Sequence, residues 1–263
     1  MKRILLLLLG PSLLYAQGNL GSVVKESGFP GSVSIYDANR DIWYSSDSID
    51  ATVETIPAST FKIIHLLIAL EVGAISSEKE VIKWPGSTDT TVYGFRPEIY
   101  RDMSVEEAFR VSAGWAFIEI AKRIPRSTYI DYLKKENYGN FTVSESEDFW
   151  NFGPLHISPK SQIEVVSRIF LGKSGFSPEH VRTLKKVMLL DSTGEYTLWA
   201  KTGWGWENNI DQGWWVGALE KNQQFYFFAT RLSKGRMDKN PQFPSARRNV
   251  AIAAFKELGI INR

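Results

Sequence analysis

Ser59 and Lys62 stand three residues apart at the head of an apolar run, and Lys201-Thr202-Gly203 follows far downstream. A serine hydroxyl attacks a carbonyl carbon only when a base takes its proton, and a lysine is that base only as the neutral amine. Positions three apart on a helix lie one above the other, so the Lys62 amine reaches the Ser59 hydroxyl. Burial among Phe61, Ile63, Ile64, Leu66 and Leu67 favours the uncharged amine. A helix start also offers free backbone N–H groups and a positive dipole end where an oxyanion would form. The chemistry this suggests is nucleophilic attack on an acyl group. Neither Ser-x-x-Lys nor Lys-Thr-Gly is informative alone; what counts is the pair and its contexts.

Those residues need a helix and a strand to hold them. The run 59–72 is nearly continuous in apolar residues and Gly73 can cap it, which predicts a buried helix beginning at or near Ser59. Thr197-Leu198-Trp199-Ala200 reads as a strand leading into Lys201. Segments 31–36 and 42–44 alternate around Asn39-Arg40-Asp41 and predict a hairpin. Helical patterns follow over 105–124, 126–136, 160–171 and 178–190, then strands over 197–202, 213–220 and 224–232, then a closing helix over 246–258. The expected fold class is α/β: an antiparallel sheet lobe made from both chain ends, with a helical lobe inserted. Trp204-Gly205-Trp206 either lines the cleft or shapes a turn after the strand.

A chain of 263 residues with 43% hydrophobic and 13% aromatic content can bury one large core. The net charge of +2 is scattered and forms no basic stripe, so nucleic acid is not an expected partner. No cysteine is present, which removes disulfides, thiol redox chemistry and cysteine-ligated metal. His65, His156 and His180 have neither triad nor metal spacing, so no metal is expected; His65, one turn past Lys62, reads as a buried, hydrogen-bonded side chain. The acidic stretch 145–148 reads as solvated surface. Lys2 and Arg3 precede the apolar segment 4–9, and Leu14-Tyr15-Ala16 offers a cleavage site before Gln17. Residues 1–16 are therefore expected to be a secretory signal peptide, too short for the ~20 residues that span a bilayer, and 17–263 a single catalytic domain. The expected product is a secreted protein without a stable membrane anchor, periplasmic if the source has an outer membrane, and a monomer or homodimer.

Ser-x-x-Lys paired with Lys-Thr-Gly occurs in penicillin-binding proteins and serine β-lactamases, and the chain resembles the class D (oxacillinase-type) serine β-lactamases along most of its length. Tyr138-Gly139-Asn140, Phe149-Trp150 followed by Gly153-Pro154-Leu155 and Ile157-Ser158, and Gly213-Trp214-Trp215-Val216-Gly217 followed by 225–229 resemble that family's elements in order. Ser112 falls at its Ser-x-Val serine, and Arg247 at its carboxylate-binding arginine, although Arg248 stands beside it. The resemblance implies a serine β-lactamase/penicillin-binding-protein transpeptidase-like fold and hydrolysis of small-molecule β-lactams through an acyl-enzyme. Ser59 would be the nucleophile, with Lys201 and Ser112 relaying protons. The backbone N–H groups of Ser59 and Trp204 would hold the oxyanion, and Thr202, Gly203 and Arg247 would bind the substrate. No separate cofactor is implied; instead, Lys62 would carry CO₂ as a carbamate (N6-carboxylysine) serving as general base. Trp150 either donates its indole N–H to that carbamate or is simply a core aromatic.

Two positions depart from the family pattern. Gly114 replaces the valine of Ser-x-Val, and Asn151 replaces the leucine after the tryptophan. The apolar cover over Lys62 should be thinner and more polar, with Trp115 as the neighbour able to compensate. An alternative function follows from the same substitutions: a penicillin-binding or sensor-like protein that is acylated but turns over poorly. A D,D-peptidase acting on peptidoglycan is a third reading.

Overall fold

The computed structural model describes residues 19–262, and the segment expected to be a signal peptide, 1–16, lies outside the described residues. The chain enters through α1 (Leu20–Glu26) and a hairpin of β1 (Gly31–Asp37) and β2 (Ile42–Ser45). It leaves the sheet by the 3₁₀ turns Asp50–Thr52 and Ala58–Phe61 and continues into α2 (Lys62–Glu71). There follow β3 (Val81–Ile82), α3 (Thr90–Tyr93), a 3₁₀ turn at Pro97–Ile99, β4 (Met103–Ser104), α4 (Val105–Val111) and α5 (Gly114–Ala121). Three longer helices complete this part: α6 (Arg126–Lys135), α7 (Pro159–Phe170) and α8 (Pro178–Met188). The chain then returns through β5 (Leu189–Ser192), β6 (Thr197–Glu207), β7 (Ile210–Lys221) and β8 (Gln224–Gly235), and closes with α9 (Phe243–Glu257).

Six strands form an antiparallel sheet in the order β2-β1-β8-β7-β6-β5, and β3 and β4 pair as a separate two-stranded antiparallel sheet. Pairing of β1 with β8 joins the first and last portions of the chain, so the helical part is an insertion, as the sequence implies. Side chains alternate between two faces along each strand. Trp214, Val216, Ala218, Phe227 and Ala229 pack against the inserted helices, whereas Trp215, Leu219, Tyr226 and Phe228 pack against α1 and α9. Both faces are covered, which is why the central strands are apolar almost continuously.

Local chemistry sets the helix starts. Ser158 and Ser177 each accept a hydrogen bond from a first-turn N–H, and each is followed by proline at the first helical position, where its missing N–H costs nothing. Gly73, at φ 68°, ends α2 where the cap was expected.

The structure corrects three expected boundaries. The helix expected over 105–124 is two helices, broken where Ser112 takes a left-handed conformation (φ 60°, ψ 41°). The apolar tail of the helix expected to reach 190 is instead the edge strand β5. Trp204-Gly205-Trp206 lies inside β6 and is no turn; of its two readings, the lining of the cleft is the one that holds.

Candidate active site

Ser59 sits in a tight 3₁₀ turn that several bonds over-determine. Ala58 before it holds φ 48°, a conformation unfavourable for a residue with a Cβ, and its N–H donates to the Trp150 carbonyl at 3.0 Å. Thr60 Oγ1 donates to the Pro57 carbonyl at 2.7 Å, and Gln162 Nε2 donates to Thr60 Oγ1 at 2.6 Å, tying the turn to α7. Lys62 begins α2 one turn on, and its Nζ lies 2.9 Å from Ser59 Oγ. The ammonium would donate to that oxygen; the neutral amine can take its proton. Lys62 is fully buried, with Nζ 5.1 Å from the centre of the Phe117 ring. Burial drives it toward the neutral amine; Asp148 opposes this and Arg96 assists.

A second lysine faces the first from the sheet. Lys201 Nζ donates to Ser112 Oγ at 2.9 Å and to the Thr202 carbonyl at 3.0 Å. The left-handed break between α4 and α5 is what presents the Ser112 hydroxyl there. Burial first, then the cations Lys62, Arg247 and Arg96, push the Lys201 ammonium well below its ordinary range. Pairing of β6 with β5 ends at Trp199, so from Ala200 onward the outer edge of β6 runs along the Ser59 turn instead of a strand. Gly203 makes that approach possible: a Cβ there would stand 3.0 Å from the Pro57 carbonyl oxygen and 3.1 Å from Thr60 Cγ2. The missing side chain therefore admits the Ser59 turn, a tighter local requirement than the substrate approach expected from sequence.

The alternation of β6 sends Lys201 toward the helices and Thr202 and Trp204 toward α9. There Arg247 Nη1 donates to the Gly203 carbonyl at 2.6 Å, and its guanidinium lies 5.6 Å from the centre of the Trp204 ring. Burial lowers its pKa to about 10, which leaves it cationic at neutral pH. Arg248 is exposed, so Arg247 is the arginine that faces the cleft. Ser59, Ser112, Thr202, Gly203, Trp204 and Arg247 all line one cleft of about 820 Å³, and Lys62, Lys201 and Trp150 are buried. Lys62 and Lys201 reach this cleft through their contacts with Ser59 and Ser112, and Trp150 lies behind the Ser59 turn, its carbonyl accepting from Ala58 N.

Trp150 stacks on Phe61 at 5.1 Å and meets His65 edge-on, yet its Nε1 is buried with no hydrogen-bond partner among the described residues. It is a core aromatic that also holds an unused donor. His65 is fully buried, 2.7 Å from Tyr129 Oη through Nε2, and burial followed by the Lys62 charge lowers its pKa to about 3. That matches the expected buried, hydrogen-bonded side chain.

Two residues at the site escaped the sequence reading. Asp148, expected on the surface with 145–148, is buried: the Tyr93 hydroxyl donates to one carboxylate oxygen and Asn151 Nδ2 to the other at 2.6 Å. Burial raises the Asp148 carboxyl, partly offset by Tyr93, Lys62 and Asn151. Tyr93 lies beside Gly114, where a Cβ would meet its ring at 3.8 Å, an ordinary van der Waals contact. Trp115 does not take that place; its Nε1 donates to the Ile99 carbonyl at 2.8 Å and its ring packs edge-on against Trp84. The adjacency of Asp148 to Phe149-Trp150, a buried aromatic pair, was the available signal. For Tyr93 the signal was Asp89, whose carboxylate caps α3 by accepting from Thr91 N at 2.9 Å. Among the described residues no group of three or more His, Asp or Glu could hold a metal ion, and no helix is long and apolar enough to cross a membrane.

Comparison with known proteins agrees with this geometry. Residues 31–251 match the penicillin binding protein transpeptidase domain. The chain is 34% identical over 221 residues to the β-lactamase OXA-10 of Pseudomonas aeruginosa, covering 82% of this chain and 80% of that protein. Its fold superposes on the crystal structure of a class D β-lactamase from Sebaldella termitidis with a TM-score of 0.88 at 36% identity, covering 94% and 98% of the two chains. A class D β-lactamase from Nostoc gives a TM-score of 0.86 at 33% identity, covering 93% of this chain and 100% of that one.

Proposed function

This chain belongs to the class D β-lactamases, serine hydrolases of the β-lactam ring, and on that premise we propose that Ser59 is its nucleophile and Lys62 its general base. The observation that carries the assignment is the 2.9 Å separation of Lys62 Nζ from Ser59 Oγ in a pocket that disfavours the ammonium. Lys62 takes the Ser59 proton as Oγ bonds to the lactam carbonyl carbon. The carbonyl π pair moves to oxygen, where the backbone N–H groups of Ser59 and Trp204 stabilise it, each such donor being worth ~10²–10³ in rate. As the C–N bond breaks, Ser112 gives its hydroxyl proton to the departing nitrogen and is reprotonated through Lys201, which takes up the proton held by Lys62, so that Lys62 is neutral again; the 2.9 Å contact of Lys201 with Ser112 supports the relay. Thr202 and Arg247 bind the substrate carboxylate by charge-assisted hydrogen bonds. Water then attacks the acyl carbon as Lys62 takes its proton, the tetrahedral intermediate collapses with cleavage of the C–Oγ bond, and Lys62 returns the proton to Ser59 Oγ.

The pocket also fits carboxylation of Lys62. A fully buried indole N–H at Trp150 without a partner among the described residues is a donor suited to an anion on that lysine, and burial lowers the Lys62 pKa to about 8, which makes the neutral amine that reacts with CO₂ more available. When present, the carbamate supplies an anionic base beside Ser59. The basic, then apolar leader over 1–16 supports export, with 17–263 as the catalytic domain.

Intact mass spectrometry after penicillin treatment tests the assignment. Wild type should turn penicillin over, Ser59→Ala should gain no drug mass, and Lys62→Ala should be acylated slowly at most, keep whatever adduct it forms and show no steady-state hydrolysis. An adduct on Ser59→Ala, or undiminished hydrolysis by Lys62→Ala, would remove the respective residue from the mechanism. A wild-type adduct that persists without product would favour the poorly turning-over binder.

A further inference from the structure

The cleft runs on past the groups that the mechanism uses, along β6 to its end. Thr202, Trp204 and Trp206 alternate with Gly203 and Gly205, so their side chains share the α9 face, and four steps of strand set Trp206 roughly 13 Å beyond Thr202. Trp206 is held between two parts of the chain: the Phe152 ring, from the insertion, lies 5.8 Å from it, and the Arg236 guanidinium, just past β8, lies 3.9 Å from its centre. All three line the cleft. Arg236 is fixed at both ends, since its backbone N–H donates to the Asn209 carbonyl at 2.9 Å and its Nη1 to Asp211 Oδ1 at 3.3 Å. A guanidinium donates in its own plane, so contact with an aromatic face steadies it without using a donor. Among the described residues, Nε and Nη2 of Arg236 donate to nothing, although the side chain is only 33% exposed.

Charge balance leaves Arg236 positive. The buried Asp211 carboxylate is shared with Lys234, whose Nζ lies closer, at 2.7 Å from Oδ2, and whose other donors go to the Gly235 and Asp238 carbonyls at 3.3 and 2.6 Å. Two cations thus face one anion. In the loop that follows, Asp238 and Lys239 also line the cleft and offset each other. A penicillin has its carboxylate on the nitrogen side of the scissile C–N bond and its acylamino side chain on the carbonyl side. With the carboxylate at Thr202 and Arg247 and the carbonyl oxygen at the Trp204 N–H, that side chain extends along β6 toward Trp206. Resting on that placement, we propose that Arg236 is a specificity-determining residue: held on Trp206, it receives an anionic substituent at the outer end of the acylamino side chain, so that the enzyme selects β-lactams carrying a second carboxylate there.

Benzylpenicillin and its α-carboxy derivative differ by that one carboxylate, and the ratio of their kcat/KM values cancels every effect common to both. Arg236→Gln should lower the ratio of α-carboxybenzylpenicillin to benzylpenicillin about tenfold, the scale of a lost charge-assisted hydrogen bond, and Arg236→Glu should lower it further by repulsion. Arg236→Lys, which keeps the charge but not the planar fork, should fall between wild type and Arg236→Gln. Wild type supplies a readout that needs no variant to fold: raising salt from about 0.05 to about 0.5 M screens the added carboxylate and should lower the ratio several-fold. With both substrates hydrolysed, a ratio equal in wild type, Arg236→Gln and Arg236→Glu, or indifferent to salt in wild type, would overturn this proposal alone and leave Arg236 as a tie to Asp211. A wild type neither acylated by nor active on either compound would overturn the role of Ser59 and this proposal together.

Discussion

His65 shows how much a single buried residue beside the base controls. Its ring lies against Phe61, Phe117, Tyr129 and Trp150, and no water-facing surface remains. In the folded protein it stays neutral down to about pH 3, whereas an unfolded histidine takes a proton near 6.5. Between those values the unfolded chain binds more protons, so stability falls as pH drops, by about 1.4 kcal/mol per unit. Asp148, raised by burial, acts in the opposite sense, since its folded form binds a proton more readily than the unfolded one. His65→Gln leaves Asp148 in place, so urea unfolding of both proteins from pH 7 to 4 should show a steeper loss for wild type; parallel curves would refute a neutral buried His65. Single residues of this kind were only partly legible in the sequence. Burial of His65 follows from its place one turn after Lys62 in an apolar run, and Arg247 was distinguishable from Arg248 only once α9 was seen to turn one toward Gly203 and the other to solvent. Burial of Asp148 was hidden because charge composition around 145–148 describes a segment, while its fate depends on Tyr93, distant in sequence.

At the scale of elements, the break between α4 and α5 shows why local pattern and final geometry part company. Apolar spacing continues through Val111-Ser112-Ala113-Gly114, so the sequence reads as one helix; the structure instead places Ser112 in the left-handed region, which a residue with a Cβ resists by roughly 1–2 kcal/mol. The bond from Lys201 on β6 gives that strain its use, and no pattern within α4 or α5 contains it. The same limitation hid β5, whose Leu189 and Leu190 continue the apolar spacing of α8, and shortened β6, where glycine at 205 reads as a turn although it admits Ile56 and Ala58 against the strand. A pair of substitutions separates strain from chemistry. Ser112→Gly and Ser112→Ala both remove the hydroxyl and should each lower hydrolysis by on the order of 10²-fold or more. Glycine alone relieves the left-handed strain, so after its greater unfolded-state entropy is offset, Ser112→Gly should be the more stable of the two by roughly 1 kcal/mol. Equal urea midpoints would mean that the surroundings impose the break without strain.

At the scale of the whole molecule, the described residues form two apolar cores, one on each face of the six-stranded sheet. Trp214 and Phe227 face the inserted helices, and Trp215 and Phe228 face α1 and α9. The site draws on both: Ser59, Lys62 and Ser112 belong to the insertion, Lys201 to Trp204 to the sheet, and Arg247 to the helix on the far face. This plan was legible from the order of patterns, strands then helices then strands, while the pairing of β1 with β8 that closes it rests on contacts between the chain's two ends. A buried tie crosses from the sheet to the insertion, Trp214 Nε1 donating to the Ile56 carbonyl at 2.9 Å, and within the insertion the Thr55 and Ile157 backbones bridge just ahead of the Ser59 turn. With the catalytic turn anchored to the sheet and to α7, the insertion should not open without disrupting the sheet's helix-facing core. Competence for acylation and global structure should therefore be lost together. Protein equilibrated in graded urea, then given a brief pulse of fluorescent penicillin, should lose labelling at the same midpoint as tryptophan fluorescence and far-ultraviolet circular dichroism. Labelling lost at distinctly lower urea, with the sheet signal intact, would show that the insertion unfolds as a separate unit and that the two cores are not cooperative.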